Sequence, residues 1–212
     1  MKFNSIWCAI ILCIVPCTAT AQWIRALGPS GGTITTIFVD GTDIWAGTDA
    51  DGPYLSTDGG LTWVARHEGL TSTGEDAVYN GYDILCFARL NSSLFVGTRG
   101  YGVYRSENDG SSWMKSDSGI TNPVVSSFIV SGGNILAGTG RKGLGSASGI
   151  FLSTNGGTLW AQIPQVIPKN GFVAGFASLG TIPNQIGSPI YTIVNDTVFS
   201  SADDGVTWKA AN

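Results

Sequence analysis

Charged side chains and histidine are scarce in this chain of 212 residues. Only 12% of the residues are charged, and the 15 acidic residues outnumber the 11 basic ones. Lysine and arginine form no basic stripe, so the composition argues against a nucleic acid or an anionic membrane as partner. His67 is the single histidine, which argues against a histidine-based zinc site or a Ser-His-Asp triad within the chain. We therefore expect no cofactor and no bound metal.

A secretory signal peptide is predicted over residues 1–21. Lys2 precedes an apolar run over residues 6–15, and small residues at 19–21 form a cleavage site ahead of Gln22. The apolar run is too short to span a bilayer. A lipoprotein anchored at Cys17 is the alternative, but the residues before this cysteine match a lipidation motif poorly. We expect export to the periplasm, the cell surface or the medium, without a membrane span.

Cysteine is equally scarce once the leader is removed. Three of the four cysteines lie within residues 1–21, so only Cys86 remains and no internal disulfide can form. Cys86 lies in a strand-like stretch, residues 84–88. We predict that it is a small buried apolar residue and not a reactive thiol.

Glycine, by contrast, is abundant, with 30 residues, and one eight-residue segment occurs four times. Each copy has serine at its first position, aspartate or asparagine at its third, glycine at its fifth and tryptophan at its eighth. The first serines of successive copies lie 50, 47 and 48 residues apart, which indicates a repeat architecture. The shared positions are Ser56, Asp58, Gly60, Trp63, Ser106, Asn108, Gly110, Trp113, Ser153, Asn155, Gly157, Trp160, Ser201, Asp203, Gly205 and Trp208.

The chemistry of the repeated segment predicts a tight turn between two strands. Small residues allow positive φ where the chain reverses, and the aspartate or asparagine can accept hydrogen bonds from N–H groups of the same turn. We expect the tryptophan to begin the outgoing strand and to pack on a neighbouring sheet. These roles are structural, so the acids of the segment are poor candidates for catalysis.

These residues resemble the Asp-box, or BNR, repeat, whose pattern is Ser-x-Asp-x-Gly-x-Thr-Trp. The repeat is found in sialidases, xyloglucan-type glucanases, the sortilin ectodomain and photosystem II assembly-factor-like proteins. The resemblance implies a β-propeller with the box between the third and fourth strands of each blade. Copies two and three depart from the pattern at Asn108, Ser112, Asn155 and Leu159. Because Leu159 lacks a hydroxyl group, we expect the third turn to be looser than the others.

The period-two alternation between the repeats predicts an all-β fold, a β-propeller with blades of four antiparallel strands. We expect four blades near residues 31–66, 84–116, 124–163 and 173–210, together forming one repeat array over residues 22–212. A further strand is predicted at Trp23, ahead of the first blade. Because this strand belongs to none of the four blades, we hypothesise that the sequence is the N-terminal part of a longer secreted bacterial propeller.

Antiparallel strand order sorts the loops onto two faces, and the long loops fall mainly on the face opposite the repeated turns. These loops cover residues 69–83, 140–149 and 164–171. Long connections on one face of a repeat protein are typical of a binding surface. The candidate binding residues on this face are Asp49, Asp51, Tyr79, Tyr82, Arg99, Tyr101, Arg141 and Lys142.

The sequence favours a secreted, non-catalytic binding or scaffold propeller that recognises a glycan or a protein through its long-loop face. One alternative is a sialidase-like or xyloglucanase-like glycoside hydrolase whose catalytic residues lie partly outside this chain. Against it, the (Phe/Tyr)-Arg-Ile-Pro motif of sialidases is absent, and the spacing of Glu68, Glu75, Asp76 and Asp83 matches no catalytic pair. A chaperone propeller similar to photosystem assembly factors is the second alternative. The start of a calcium loop at residues 49–52 lacks the rest of its ligand pattern.

Overall fold

The structure, a computed structural model, describes residues 28–29, 32–70, 83–140, 149–164, 171–178 and 189–211. These residues form sixteen β-strands, which assemble into four separate four-stranded sheets. Every sheet is antiparallel and is made of four strands that follow one another in the chain. No part of the described chain forms a helix with the length and apolar character needed to cross a membrane. The predicted all-β fold of four-stranded blades is confirmed.

The four strands of each blade are named A to D in chain order. Blade 1 contains β1 (Ile34–Asp40), β2 (Asp43–Thr48), β3 (Pro53–Ser56) and β4 (Val64–Ala65). Blade 2 contains β5 (Ile84–Leu90), β6 (Ser93–Thr98), β7 (Val103–Ser106) and β8 (Met114–Lys115). Blade 3 contains β9 (Val125–Ser131), β10 (Asn134–Thr139), β11 (Ile150–Ser153) and β12 (Ala161–Gln162). Blade 4 contains β13 (Val173–Ser178), β14 (Ile190–Val194), β15 (Thr197–Ser201) and β16 (Lys209–Ala210).

The D strands differ from the prediction at their starts. Each D strand has two residues and begins directly after the tryptophan of the repeated segment, whereas the prediction placed the tryptophan at the start of the strand. The preceding residues are held by hydrogen bonds inside the turn, such as that from Thr62 N–H to Asp58 Oδ1 at 2.9 Å, and so they do not pair with strand C. The predicted strand at Trp23 lies outside the described residues.

The blades follow one another so that the A strands are neighbours: β1 lies beside β5, β5 beside β9, and β9 beside β13. Three hydrophobic clusters hold the array together, and each contains residues of two successive blades. We call the face of a blade that meets the preceding blade its leading face, and the face that meets the following blade its trailing face. The core therefore lies between sheets, as stacking of amphipathic sheets requires.

One packing arrangement recurs at all three contacts between blades. A large side chain on strand B projects from the trailing face and is fully buried: Trp45 in blade 1, Phe95 in blade 2 and Leu136 in blade 3. At the first two contacts, a phenylalanine on strand A of the following blade packs against this side chain. Phe87 lies 6.0 Å from Trp45 between ring centroids, and Phe128 lies 6.4 Å from Phe95. The alternation along strands A and B thus gives each blade two apolar faces.

Candidate functional site

The four repeated segments, residues 56–63, 106–113, 153–160 and 201–208, are called the repeat turns, and they connect strands C and D. In the first, Ser56 Oγ accepts a hydrogen bond from Gly60 N–H at 2.8 Å and donates to Asp58 Oδ1 at 2.8 Å. Asp58 also accepts bonds from the N–H and the hydroxyl of Thr62, at 2.9 and 2.6 Å. The carboxylate is therefore engaged in shaping its own turn.

The second and third turns keep this frame with asparagine in place of aspartate. Asn108 Oδ1 accepts from Ser112 N–H at 2.9 Å, and Asn155 Oδ1 accepts from Leu159 N–H at 3.0 Å. Because Leu159 has no hydroxyl group, the third turn lacks the bond between side chains that Ser112 and Asn108 form at 2.9 Å. It keeps the bond from Leu159 N–H to Asn155 Oδ1, so the expected loosening is not seen at this main-chain donor.

Hydrogen bonds inside the turns also control the ionisation of their acids. The bonds from Thr62 and Ser56 lower the pKa of Asp58 to about 2, from an ordinary value of 3.8. For Asp203, burial alone would raise the pKa, but the bonds from Thr207 and Ser201 outweigh it and lower the pKa. A carboxylate stabilised in its charged form is a poor proton donor at neutral pH, which favours a structural role for both acids.

The tryptophans of the second and third repeat turns join neighbouring blades. The indole N–H of Trp113 donates to the carbonyl of Arg66 at 2.7 Å, and that of Trp160 donates to the carbonyl of Ser116 at 2.7 Å. Both acceptors directly follow the D strand of the preceding blade. The second and third repeat turns are thus engaged in contacts between blades, and a ligand site is better sought among the connections at the opposite ends of strands B and C.

On that opposite face, which we call the loop face, each B–C loop of blades 1 to 3 is closed by a threonine clamp. The threonine that ends strand B donates its hydroxyl to the carbonyl of the glycine before strand C. The distances are 2.9 Å for Thr48 and Gly52, 2.9 Å for Thr98 and Gly102, and 3.1 Å for Thr139 and Gly149. The clamp closes a short loop over residues 49–51 and a much longer one over residues 140–148 with the same bond. Loop length can therefore vary without a change in the blade frame.

A second bond ties each B–C connection to the segment that enters strand A. The N–H after strand B donates to a carbonyl just before strand A: Arg99 to Asp83 at 3.0 Å, and Asp49 to Thr33 at 3.1 Å. Gly102 N–H adds a bond to the carbonyl of Pro123, at the entrance to blade 3, at 2.8 Å. These bonds fix the ends of the B–C connections to the segments that enter strand A.

Only part of the predicted binding set lies in the described residues. Tyr79, Tyr82, Arg141 and Lys142 lie outside them. Arg99 forms an ion pair with the buried Asp83, and half-buried Tyr101 packs against the core between blades 1 and 2. In blade 1, Asp49 Oδ1 accepts from Thr33 N–H at 2.7 Å, and Asp51 lies 3.3 Å from the Tyr54 hydroxyl. Burial and the charge of Asp51 raise the pKa of Tyr54.

The structure adds Lys115 and Asp117 to the predicted residues of blade 2. Lys115 Nζ donates to the carbonyl of Tyr101 at 2.7 Å, lies 3.1 Å from Asp117, and stands 5.1 Å from the centre of the Tyr104 ring. The sequence signal for these residues is their place at the end of strand D, which antiparallel order brings to the loop face. We call Asp83, Arg99, Tyr101, Lys115 and Asp117 the blade 2 rim.

The described part of the chain also bears on the catalytic alternatives. It contains no group of three or more histidine, cysteine, aspartate or glutamate side chains that could hold a metal ion. Glu75 and Asp76 lie outside the described residues, and Asp83 is engaged by Arg99. Cys86 is buried and free, as predicted, and its burial raises the pKa of its thiol.

Four-stranded antiparallel blades that pack in chain order define the protein as a β-propeller type of fold. No family model and no curated protein match the chain. Solved structures do: an ancestral GH74 enzyme is 20% identical over 90% of this chain, with a TM-score of 0.65. The extracellular domain of the candidate one-component system BT4673 from B. thetaiotaomicron is 17% identical over 89%, with a TM-score of 0.63.

A third similar structure is YCF48 bound to D1 peptide, which is 19% identical over 83% of this chain with a TM-score of 0.51. The chain spans 25% of the GH74 enzyme, 23% of the BT4673 domain and 51% of YCF48. At these identities the likeness shows the shared fold.

Proposed function

We propose that this protein is an exported, non-catalytic binding propeller that holds a protein or glycan ligand on its loop face. The observation that carries the proposal is the threonine clamp. It closes residues 49–51, 99–101 and 140–148 with the same bond, so connections of different length stand on one rigid frame. Variable loops on a constant support are the usual arrangement of a recognition surface.

The composition of the blade 2 rim supports this role. It combines an aromatic side chain, Tyr101, with the cations Arg99 and Lys115, each of which has an acidic neighbour. Because the ion pairs hold the long side chains in place, a ligand would meet groups that are already ordered. Tyrosine and arginine are also the residues that contribute most at binding surfaces.

The similar structures and the sequence support an exported binding protein in a general way. YCF48 has been solved with a peptide, so a propeller of this type can hold one. The BT4673 neighbour is an extracellular domain. Export of the present protein rests on the leader predicted over residues 1–21. The GH74 neighbour keeps hydrolysis of a glycan as the competing hypothesis.

The test is a binding screen of the exported protein on peptide and glycan arrays, followed by titration of the best ligand. We expect Tyr101→Ala to weaken binding about thirty-fold or more, which is the loss that defines a hot spot. Lys209→Ala is the matched control, because Lys209 is exposed at the start of the last D strand. Equal losses in both variants would contradict a loop-face site. Release of sugar from xyloglucan or sialyl-lactose by the wild-type protein would contradict the non-catalytic role.

A further inference from the structure

The third repeat turn contains Asn155-Gly156, the one Asn-Gly pair whose two residues both lie in the described parts of the chain. Asparagine is a chemically labile residue. A following glycine exposes it most, because the next backbone nitrogen can reach the side-chain carbon without obstruction by a Cβ atom. Asn155 is exposed, and a Cβ atom added at Gly156 would meet nothing within 4 Å. The pair is therefore open to water and to attack from within the chain.

The turn also activates the side-chain carbonyl group of Asn155. Its Oδ1 accepts two hydrogen bonds, from the hydroxyl of Ser153 at 2.9 Å and from the N–H of Leu159 at 3.0 Å. Attack on an amide carbon moves negative charge onto the amide oxygen, so two donors that already point at this oxygen stabilise the intermediate as an oxyanion hole does. The hydrogen bonds that shape the turn thus also favour attack at Cγ of Asn155.

The attacking and leaving groups for this reaction are not held by other bonds in the described part of the chain. There, the N–H of Gly156 donates to no acceptor. The Asn155 Nδ2 lacks a hydroxyl partner, because Leu159 stands where Ser112 accepts a bond from Asn108 Nδ2 at 2.9 Å in the second turn. The third turn therefore holds the carbonyl group of its asparagine and leaves the amide nitrogen free to depart.

The second repeat turn provides a natural comparison. Asn108 Oδ1 accepts the same two bonds, from the Ser106 hydroxyl and the Ser112 N–H, both at 2.9 Å. The residue after this asparagine is Asp109, whose side chain lies beside the backbone nitrogen that would attack. Its negative charge also disfavours loss of a proton from that nitrogen. The two turns share the activated carbonyl group and differ in the attacking nitrogen and in the bond to Nδ2.

We propose that Asn155 is a self-modification site, at which the chain converts this asparagine into aspartate or isoaspartate with water as the co-reactant. The backbone nitrogen of Gly156 forms a bond to Cγ of Asn155, and the bond between Cγ and Nδ2 breaks. Ammonia leaves with the proton from the Gly156 N–H, and a cyclic succinimide remains. Water then opens the ring at either of its two carbonyl groups. One opening gives aspartate, and the other gives isoaspartate, in which the main chain runs through Cγ.

The modification would act on the contact between blades 2 and 3, because blade 2 holds the residues directly after Asn155. Arg105 Nη1 donates to the carbonyl of Gly156 at 2.9 Å, and the Ser116 hydroxyl donates to the carbonyl of Gly157 at 2.7 Å. Aspartate keeps the acceptor oxygen that the turn requires. Isoaspartate adds a carbon atom to the main chain just before these two carbonyl groups, so it moves them away from their donors. We therefore expect the isoaspartate form to unfold at a lower urea concentration than the unmodified protein.

The test follows the purified wild-type protein during storage in solution at neutral pH. Peptide mapping by mass spectrometry, with fragmentation that separates aspartate from isoaspartate, reads positions 155 and 108 in the same sample. We expect the mass change from amide to acid to accumulate with time at Asn155, together with isoaspartate, while Asn108 stays intact. Gly156→Asp should abolish the change, because it gives the third turn the Asn-Asp pair of the second. The second turn already holds Asp109 at a φ of 50°, so this variant should fold.

A second pair of variants tests the leaving group. Leu159→Ser restores a hydroxyl partner for Nδ2 and keeps the N–H that bonds to Oδ1, so it should slow the conversion about two- to ten-fold, the factor that corresponds to one hydrogen bond. Leu159→Val is the matched control, because it supplies no hydroxyl group and should leave the rate unchanged. Equal conversion at Asn108 and Asn155 would overturn the proposal. So would a folded protein that keeps Asn155 intact while the urea-unfolded chain converts it, since the turn would then protect this amide.

Discussion

The two glycines of the third repeat turn offer a sharp test of how the blades are joined. Gly156 and Gly157 are adjacent, and both have positive φ, at 68° and 83°. A Cβ at Gly156 would meet nothing within 4 Å. A Cβ at Gly157 would overlap the ring of Phe95 in the preceding blade and lie 3.3 Å from Ser116 Oγ. Substitution by alanine therefore strains the backbone at both sites, but only at Gly157 does it also crowd a side chain of the preceding blade.

The shared cost is the left-handed backbone, which raises the energy of an alanine by about 1–2 kcal/mol. At Gly157 the methyl group also overpacks a buried contact, which adds about 1–3 kcal/mol. Phe95 is fully buried and its ring centroid lies 6.4 Å from that of Phe128, so the ring has little room to withdraw. We expect Gly156→Ala to lower the free energy of unfolding by about 1–2 kcal/mol, and Gly157→Ala by about 2–5 kcal/mol.

Urea denaturation followed by tryptophan fluorescence measures both free energies. The double variant Gly157→Ala/Phe95→Ala supplies the control, because alanine removes the whole ring that the methyl group meets. It should show a coupling energy of about 1 kcal/mol or more, in the range expected for side chains in contact. Equal losses for the two alanine variants, or additive effects in the double variant, would refute the idea that this glycine is required by the neighbouring blade.

Three further outcomes follow from the described contacts. Trp160→Phe should lower the free energy of unfolding by about 2–4 kcal/mol in the same urea assay, because it removes the donor to the Ser116 carbonyl and part of a buried ring; no loss would show that the bond is dispensable. Cys86 should resist a thiol-specific chromogenic reagent until urea unfolds the chain, since the thiol is buried and its pKa is raised; immediate reaction without urea would contradict this. The double variant Asp58→Asn/Asp203→Asn should flatten the dependence of the urea midpoint on pH between about pH 4 and pH 2. In the wild-type protein, folding lowers the pKa of both acids. The stability that their ionised forms contribute is therefore present above the unfolded pKa near 3.8 and is lost as the pH falls through the folded pKa, which is about 2 for Asp58. If the double variant showed the same dependence of the urea midpoint on pH as the wild type, this role would be contradicted.

The sequence was sufficient to predict the strands because their signals are local. Period-two alternation and turn residues predict blades near residues 84–116 and 124–163, and β5 (Ile84–Leu90), β7 (Val103–Ser106) and β11 (Ile150–Ser153) lie within them. The D strands were placed too early, because the hydrogen bonds of the repeat turn extend through the residue before the tryptophan. Leu159 was expected to loosen its turn, yet the turn depends on the N–H of that residue and not on its side chain.

The candidate site was harder to predict because it depends on contacts that are distant in the chain. The Gly-Thr ends of the B strands were visible in the sequence, but the clamp from Thr98 to Gly102 is visible only in three dimensions. Lys115 was missed because its partner, the Tyr101 carbonyl, is a backbone group and has no sequence signal. The ion pair between Arg99 and Asp83 likewise needs the register of two segments that the sequence does not fix.

The fourth position of the repeat turns is glycine or aspartate, whereas the fifth is glycine in all four turns. The contacts of the turns explain this difference. At the fourth position the chain has Gly59 and Gly156 but also Asp109 and Asp204, whose φ values are 50° and 55°. Aspartate tolerates the left-handed region, and no neighbouring blade crowds Gly59 or Gly156 there. At the fifth position all four turns have glycine, and three of these glycines rest on the strand-B side chain of the blade before.

The chemistry of the third position differs between the blades. Blades 1 and 4 carry the titrating residues, Asp58 and Asp203, whereas the turns of blades 2 and 3 carry Asn108 and Asn155, which form the same main-chain bonds without a charge. In a repeat protein each unit is stabilised mainly by its neighbours. Acid therefore acts directly on the turns of blades 1 and 4, and it reaches blades 2 and 3 through the contacts between blades.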